Sequence, residues 1–314
     1  MKTGLTKLLG IKHPIIQGAM AYISEANLVS AVCNAGGTGV IGSGGRGADW
    51  VRREIVRTKQ MTDKPFGVNV MLKDPERDDI IAAICEEKVE FITMGAGNPG
   101  PYFKILKDAG IKTIPVVPNV RLAKRVEESG ADAIIVEGTE SGGHIGLMTT
   151  MALLTNVIPQ VKIPVIAAGG IADGRGIAAA LLMGAAGVQM GSRFLLTDEC
   201  QVHPNVKEKI LQSTDTDTDV TGYSTGIMVR GLRNDFTREF LKLERTGAPA
   251  EALNELATGR NRLSAIDGDI DNGSVQVGQS LNVLTEIKAV QEVIKELMEQ
   301  TVTTLQSANK LLGS

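Results

Sequence analysis

The chain is short of the groups that most often announce a function. Aromatic residues make up 3% of its 314 residues, and there are only three cysteines and three histidines. Cys33, Cys85 and Cys200 are odd in number, far apart and without a C-x-x-C pair. A disulfide framework is therefore not expected, and reduced, mostly buried thiols in a cytoplasmic setting are. His13, His144 and His203 form no H-x-H or H-x-x-x-H pair, which disfavours a catalytic metal. A net charge of -3 lacks the basic excess that nucleic acid requires. The longest weakly polar run, Gly176 to Gly191, is too short and too broken by glycine to span a membrane. The first ten residues lack the apolar core and small-residue cleavage site of a signal peptide.

What is abundant is glycine, at 36 residues, set among short apolar runs of Val, Ile, Leu, Ala and Met. Such runs suit buried parallel strands. Eight of them read as strands: 14–17, 39–42, 66–71, 90–94, 113–117, 133–136, 164–168 and 187–190. Helical patterns follow, near 25–34, 49–59, 78–87 and from about 149. Eight strands at intervals of roughly 20–30 residues predict a closed (β/α)8 TIM barrel, an α/β fold, in preference to an open doubly wound sheet. The barrel strands occupy 1–199. Residues 200–264 break the rhythm and read as an inserted lid, with a solvated Thr/Asp turn at 214–219 and two charged helices at 235–243 and 248–256. Residues 265–314 return through a glycine-rich loop to a barrel helix, expected over Ser280–Leu312 from its apolar stripe.

In such a barrel, chemistry belongs to the loops at the C-terminal ends of the strands. The loops Ala168-Gly-Gly-Ile-Ala172 and Met190-Gly-Ser-Arg193 offer unshielded backbone N–H groups after strands seven and eight, and Ser192 adds a hydroxyl. With a helix opening near Asp173, whose dipole favours an anion, they predict a phosphate-bearing ligand. The runs Gly37–Gly42 and Gly42–Gly47 both fit G-x-G-x-x-G. The first leads into a strand, and the second lacks the acidic residue at the end of the next strand, so a Rossmann site is rejected. Asn69 is a polar amide inside an apolar strand and must bond either a ligand or a neighbouring loop. Glu140-Ser-Gly-Gly-His-Ile-Gly146 places His144 on a glycine loop after strand six. The position suits a proton-handling group, although the loop alone leaves a histidine satisfied by backbone groups equally open.

These residues together resemble the flavin-dependent enoyl-acyl carrier protein reductase II family (FabK type), within the wider nitronate monooxygenase-like group. The matching stretches include Pro14–Ala21, Asp63–Val70, Gly95–Pro99, Glu140–Gly146, Pro164–Asp173, Gln189–Phe194 and Gly273–Gln279. The resemblance implies a barrel that binds FMN, takes hydride from NADH or NADPH and reduces a trans-2-enoyl thioester carried on acyl carrier protein. It assigns Gly169, Gly170, Gly191 and Ser192 to the FMN phosphate. Met20 and Asn69 border the ring, with Glu137, Gly142 and Gln189 nearby, and His144 is the catalytic histidine, stabilising or protonating the enolate charge as a general acid, since the unperturbed imidazole pKa lies near working pH. A homodimer is also implied. Tyr22, Ser192 and Gln276 depart from residues often found at those places, which bears on acyl-chain and cofactor preference. The rival within the same group is a nitronate monooxygenase, in which the histidine acts as a base and oxygen reoxidises the flavin.

Overall fold

The computed structural model describes residues 1–311. In chain order its strands are β1 (Ile15–Gln17), β2 (Thr38–Gly42), β3 (Gly67–Met71), β4 (Phe91–Gly95), β5 (Lys112–Val117), β6 (Ile134–Glu137), β7 (Gly143–His144), β8 (Val165–Ala168), β9 (Gly187–Met190), β10 (Thr218–Thr221) and β11 (Val229–Leu232). Eight of them close a parallel barrel in the order β1-β2-β3-β4-β5-β6-β8-β9, with β1 pairing β9. The other three form an antiparallel sheet in the order β10-β11-β7.

Both faces of the barrel strands are buried, which is why they read as unbroken apolar runs. Alternate residues divide between two cores. Phe91, Ile114, Ile135 and Ile166 point inward, while Ile92, Ile134, Val136, Val165 and Ala167 pack under the helices. A short helix at Gly4–Leu9, which the pattern of the sequence did not announce, adds Leu5 and Leu9 to the inner cluster and plugs the N-terminal end. Thr3 starts it with a capping box.

After β9 comes a helix of only four residues, Ser192–Leu195. The segment beyond it carries a helix at Pro204–Leu211, strands β10 and β11, and helices at Asp235–Arg245, Ala250–Ala257 and Arg260–Ala265. Its two longer late helices bury Phe236, Phe240 and Leu253 in a small core of their own. The residues expected to form a solvated turn at 214–219 do so only in part, because Thr218 and Asp219 are already extended in β10 against Leu232 and Gly231.

The expected helix over Ser280–Leu312 begins ten residues late, at Val290, and runs to Lys310; Leu312 lies outside the described residues. The intervening backbone is held elsewhere. Lys288 accepts from Asp198 N–H and donates to Leu196 O, and the Glu199 carboxylate accepts the Val290 N–H at 2.9 Å. The helix then buries Val293, Ile294 and Leu297 against the helices Gly174–Leu182 and Ala26–Asn34. Among the described residues, no helix is long and apolar enough to cross a membrane.

Leu5 is fully buried at the base of the inner core. Leu5→Ala is expected to cost about 2–5 kcal/mol in urea unfolding with an unchanged m-value. A loss under about 1 kcal/mol would show that the first helix is not part of the plug.

Candidate active site

A cavity of about 430 Å³ opens at the C-terminal end of the barrel. The two-residue alternation of the strands makes its floor. One inward position above the apolar plug stand Asn69 on β3, Thr93 on β4, Val116 on β5, Glu137 on β6 and Gln189 on β9. Asn69 donates to Thr93 Oγ1 at 3.0 Å, so its amide nitrogen is held by the neighbouring strand while the residue still lines the cavity. The side chains of Glu137 and Gln189 have no hydrogen-bond partner among the described residues.

Every residue singled out from the sequence lines this one cavity: His144, Met20, Asn69, Glu137, Gly142, Gly169, Gly170, Gln189, Gly191 and Ser192. Thr93, Gln276 and Ser280 line it too. Thr93 carried the same signal as Asn69, a polar side chain at an inward position of an apolar strand, whereas Ser280 lies in the segment misread as helix.

The loops after β8 and β9 offer donors of the kind the sequence suggested. Gly169 and Gly170 have φ of 97° and 71°, the left-handed region that glycine tolerates. Among the described residues no acceptor takes the N–H of Gly170, Gly191 or Ser192. The helix at Gly174–Leu182 does not contribute as expected. Its first turn is closed by the chain itself, with the Asp173 carboxylate accepting from Gly176 N–H at 2.9 Å and Gln300 Oε1 from Gly174 N–H at 2.7 Å. An N-terminus already holding a carboxylate has little attraction left for a second anion.

His144 is not on a free loop. It forms β7 with Gly143, which pairs antiparallel with Val229 and Arg230 of β11. Arg230 is buried and donates from Nε to Thr139 O at 2.8 Å and from Nη1 to Thr218 Oγ1 at 3.0 Å. On the opposite side the loop leans on the segment Val275–Ser280. A Cβ on Gly142 would stand 2.6 Å from the backbone of Val277, so only glycine allows this approach. Gln279 N–H donates to Glu140 O at 3.0 Å, Gly278 N–H to Ser192 Oγ at 2.9 Å, and Ser280 Oγ to Gly170 O at 2.8 Å. Glu140, a residue the sequence left without a task, also accepts the Thr150 N–H at 3.0 Å and so caps the next helix.

The other two histidines stand apart from the cavity. His203 Nδ1 accepts from Asn205 N–H at the start of its helix, and His13 lies against Gly36 before β1. Among the described residues no group of three or more His, Cys, Asp or Glu is placed to hold a metal ion.

Two groups in the cavity are electrostatically displaced. Desolvation pushes the Glu137 carboxyl up from 4.5 to about 7. The little exposure it keeps is toward the cavity. His144 is held below its ordinary 6.5, first by desolvation and then by the charge of Lys73. The shift favours the neutral imidazole near neutral pH.

Comparison with known proteins follows the same outline. The family model for nitronate monooxygenase matches residues 2–86 and 77–300. A solved structure of FabK from Thermotoga maritima is 46% identical, covers 99% of both chains and superposes with a TM-score of 0.96. A Mycobacterium tuberculosis protein named as (3aS,4S,5R,7aS)-5-hydroxy-7a-methyl-1-oxo-octahydro-1H-indene-4-carboxyl-CoA dehydrogenase is 34% identical over 99% of each chain. A probable nitronate monooxygenase of Staphylococcus saprophyticus is 32% identical over 95% of this chain and 98% of its own.

Two outcomes test this description. Gly142→Ala is expected to lower hydrogen-exchange protection at the amides of Gly278 and Gln279 while the barrel strands stay protected; unchanged protection there would show that the two segments do not depend on each other. Glu137 is favoured neutral in the folded state, so the stability it contributes is complete below about pH 4.5 and is lost as pH rises through about 7. The melting temperature of ligand-free Glu137→Gln should therefore gain on the wild type between those values, and a constant difference would contradict the buried carboxyl.

Proposed function

The chain belongs to the nitronate monooxygenase family, and we propose that within it the protein is an FMN-dependent enoyl-acyl carrier protein reductase that oxidises NADH or NADPH. The observation that carries this reading is the match to FabK of Thermotoga maritima along the whole chain, the cap segment included. The thioester named in the Mycobacterium tuberculosis relative is of the same substrate class.

The cavity fits FMN on its own chemistry. Three backbone N–H groups without an acceptor, from Gly170, Gly191 and Ser192, suit a phosphate. The polar floor of Asn69, Glu137 and Gln189, bordered by Met20, suits the edge of a heteroaromatic ring that is otherwise apolar. When bound there, FMN supplies the hydride storage that no side chain provides.

The remaining work falls to the chain. On this reading Gly142 keeps the loop close to the return segment, and β11 holds His144 toward the substrate. A neutral imidazole donates a hydrogen bond to the thioester carbonyl and stabilises charge as it grows on that oxygen. The substrate arrives on acyl carrier protein, whose tether delivers the thioester through the open mouth, and the enzyme works as a homodimer.

One observation favours a second reading. A lowered imidazole pKa leaves His144 ready to take a proton at neutral pH, which is what a nitronate monooxygenase asks of it. Steady-state assays separate the two. The reductase predicts NADH or NADPH oxidation that depends on crotonyl thioester, and a His144→Ala variant that loses about 10²–10⁴-fold in kcat. Turnover of an alkyl nitronate with oxygen uptake, and no thioester-dependent loss of NADH or NADPH, would reverse the choice.

A further inference from the structure

Among the described residues, Glu137 is the one carboxyl in the cavity without a hydrogen-bond partner. Glu140, the other, is spent on the Thr150 N–H. Strand alternation turns Glu137 into the barrel on the same face as Ile135, and its backbone is fixed by pairing with Ala168 of β8. Its neighbours in the floor are Ala168, Val116 and the amide of Gln189, none of them charged. The titratable groups that share the cavity are Glu140 and His144, with Lys73 beyond His144. None of these is a charge partner to Glu137, whose displacement comes from burial alone. An ionised carboxylate at this place would lose its water once a ligand covered it, with no cation of the chain to compensate, and would face the ligand's carbonyl oxygen without a proton to donate.

A carboxylate only accepts hydrogen bonds, whereas a carboxylic acid carries a donor beside an acceptor. That pair complements a carbonyl oxygen next to an N–H, the pattern of an imide edge. We propose that Glu137 meets the molecule bound in this cavity as a neutral carboxylic acid, donating to a carbonyl-type oxygen and accepting from an adjacent N–H, so that loading the site takes up a proton above neutral pH. The identity of the ligand rests on the FMN reading, since the edge of its pyrimidine ring is such an imide. The proton comes from solvent. Its uptake rises from near none at acid pH, where the carboxyl is already protonated, toward one per molecule bound in alkaline solution.

The test is the binding of FMN to ligand-free protein, followed by flavin fluorescence between about pH 6 and about pH 8.5, for the wild type and for Glu137→Gln. The glutamine variant keeps a donor and an acceptor but has nothing to titrate. It shares with the wild type the second ionisation of the FMN phosphate and that of His144, so those effects cancel in the comparison. The wild type is expected to weaken relative to the variant by roughly tenfold between pH 7 and pH 8.5. Titration calorimetry in two buffers of different ionisation enthalpy should show proton uptake at the alkaline end for the wild type that the variant lacks. FMN binding with the same pH profile in both proteins overturns the proposal and leaves the flavin reading standing. No FMN binding to the wild type at any pH overturns both.

Discussion

Everything at the mouth of the barrel depends on the contact between the segment Val275–Ser280 and three loops that are remote from it in sequence. Its groups reach the loops after β6, β8 and β9 through Glu140 O, Gly170 O and Ser192 Oγ. A strand of two residues cannot hold itself, so β7 exists because β11 pairs with it on one side and Val277 presses on Gly142 on the other. The cap and the return segment are in this sense parts of the site, since they fix where His144 stands.

The second constraint is the alternation of the barrel strands. The period that buries Phe91, Ile135 and Ile166 in the plug also turns Thr93 and Glu137 into the cavity one step further on. Burial there is what displaces the Glu137 carboxyl, and crowding together with Lys73 displaces His144 in the opposite direction. The two shifts leave His144 largely uncharged at pH 7 and Glu137, displaced to about 7, only half ionised there. A site with little fixed charge is suited to a ligand whose own charge changes during reaction, because fixed charges would favour one state of it over the other.

Much of this was legible in the sequence because the barrel writes itself in short apolar runs, each close to the strand observed. His144, the paired glycine loops and Asn69 were legible because each is out of character with its surroundings. The rest was hidden for physical reasons. The region 280–289 has helical periodicity in Leu284 and Ile287, yet hydrogen bonds to Leu196 and Asp198 hold part of it extended. Nothing local in Asp173 shows that its carboxylate folds back on its own helix. The displaced pKa of His144 comes first from desolvation within the folded cavity and then from Lys73, seventy-one positions earlier in the chain. Pairings of this kind are tertiary, and a single sequence carries no mark of them.

The central claim is that hydride passes through a flavin in this cavity to an enoyl thioester, and one measurement addresses it directly. The purified protein is loaded with FMN, reduced with NADH or NADPH under strict exclusion of oxygen, and then mixed with crotonyl thioester while the visible flavin absorbance is followed. The account predicts bleaching by the nicotinamide and full return of the absorbance on adding the thioester. A flavin that stays bleached until oxygen is admitted, whatever thioester is present, would contradict it.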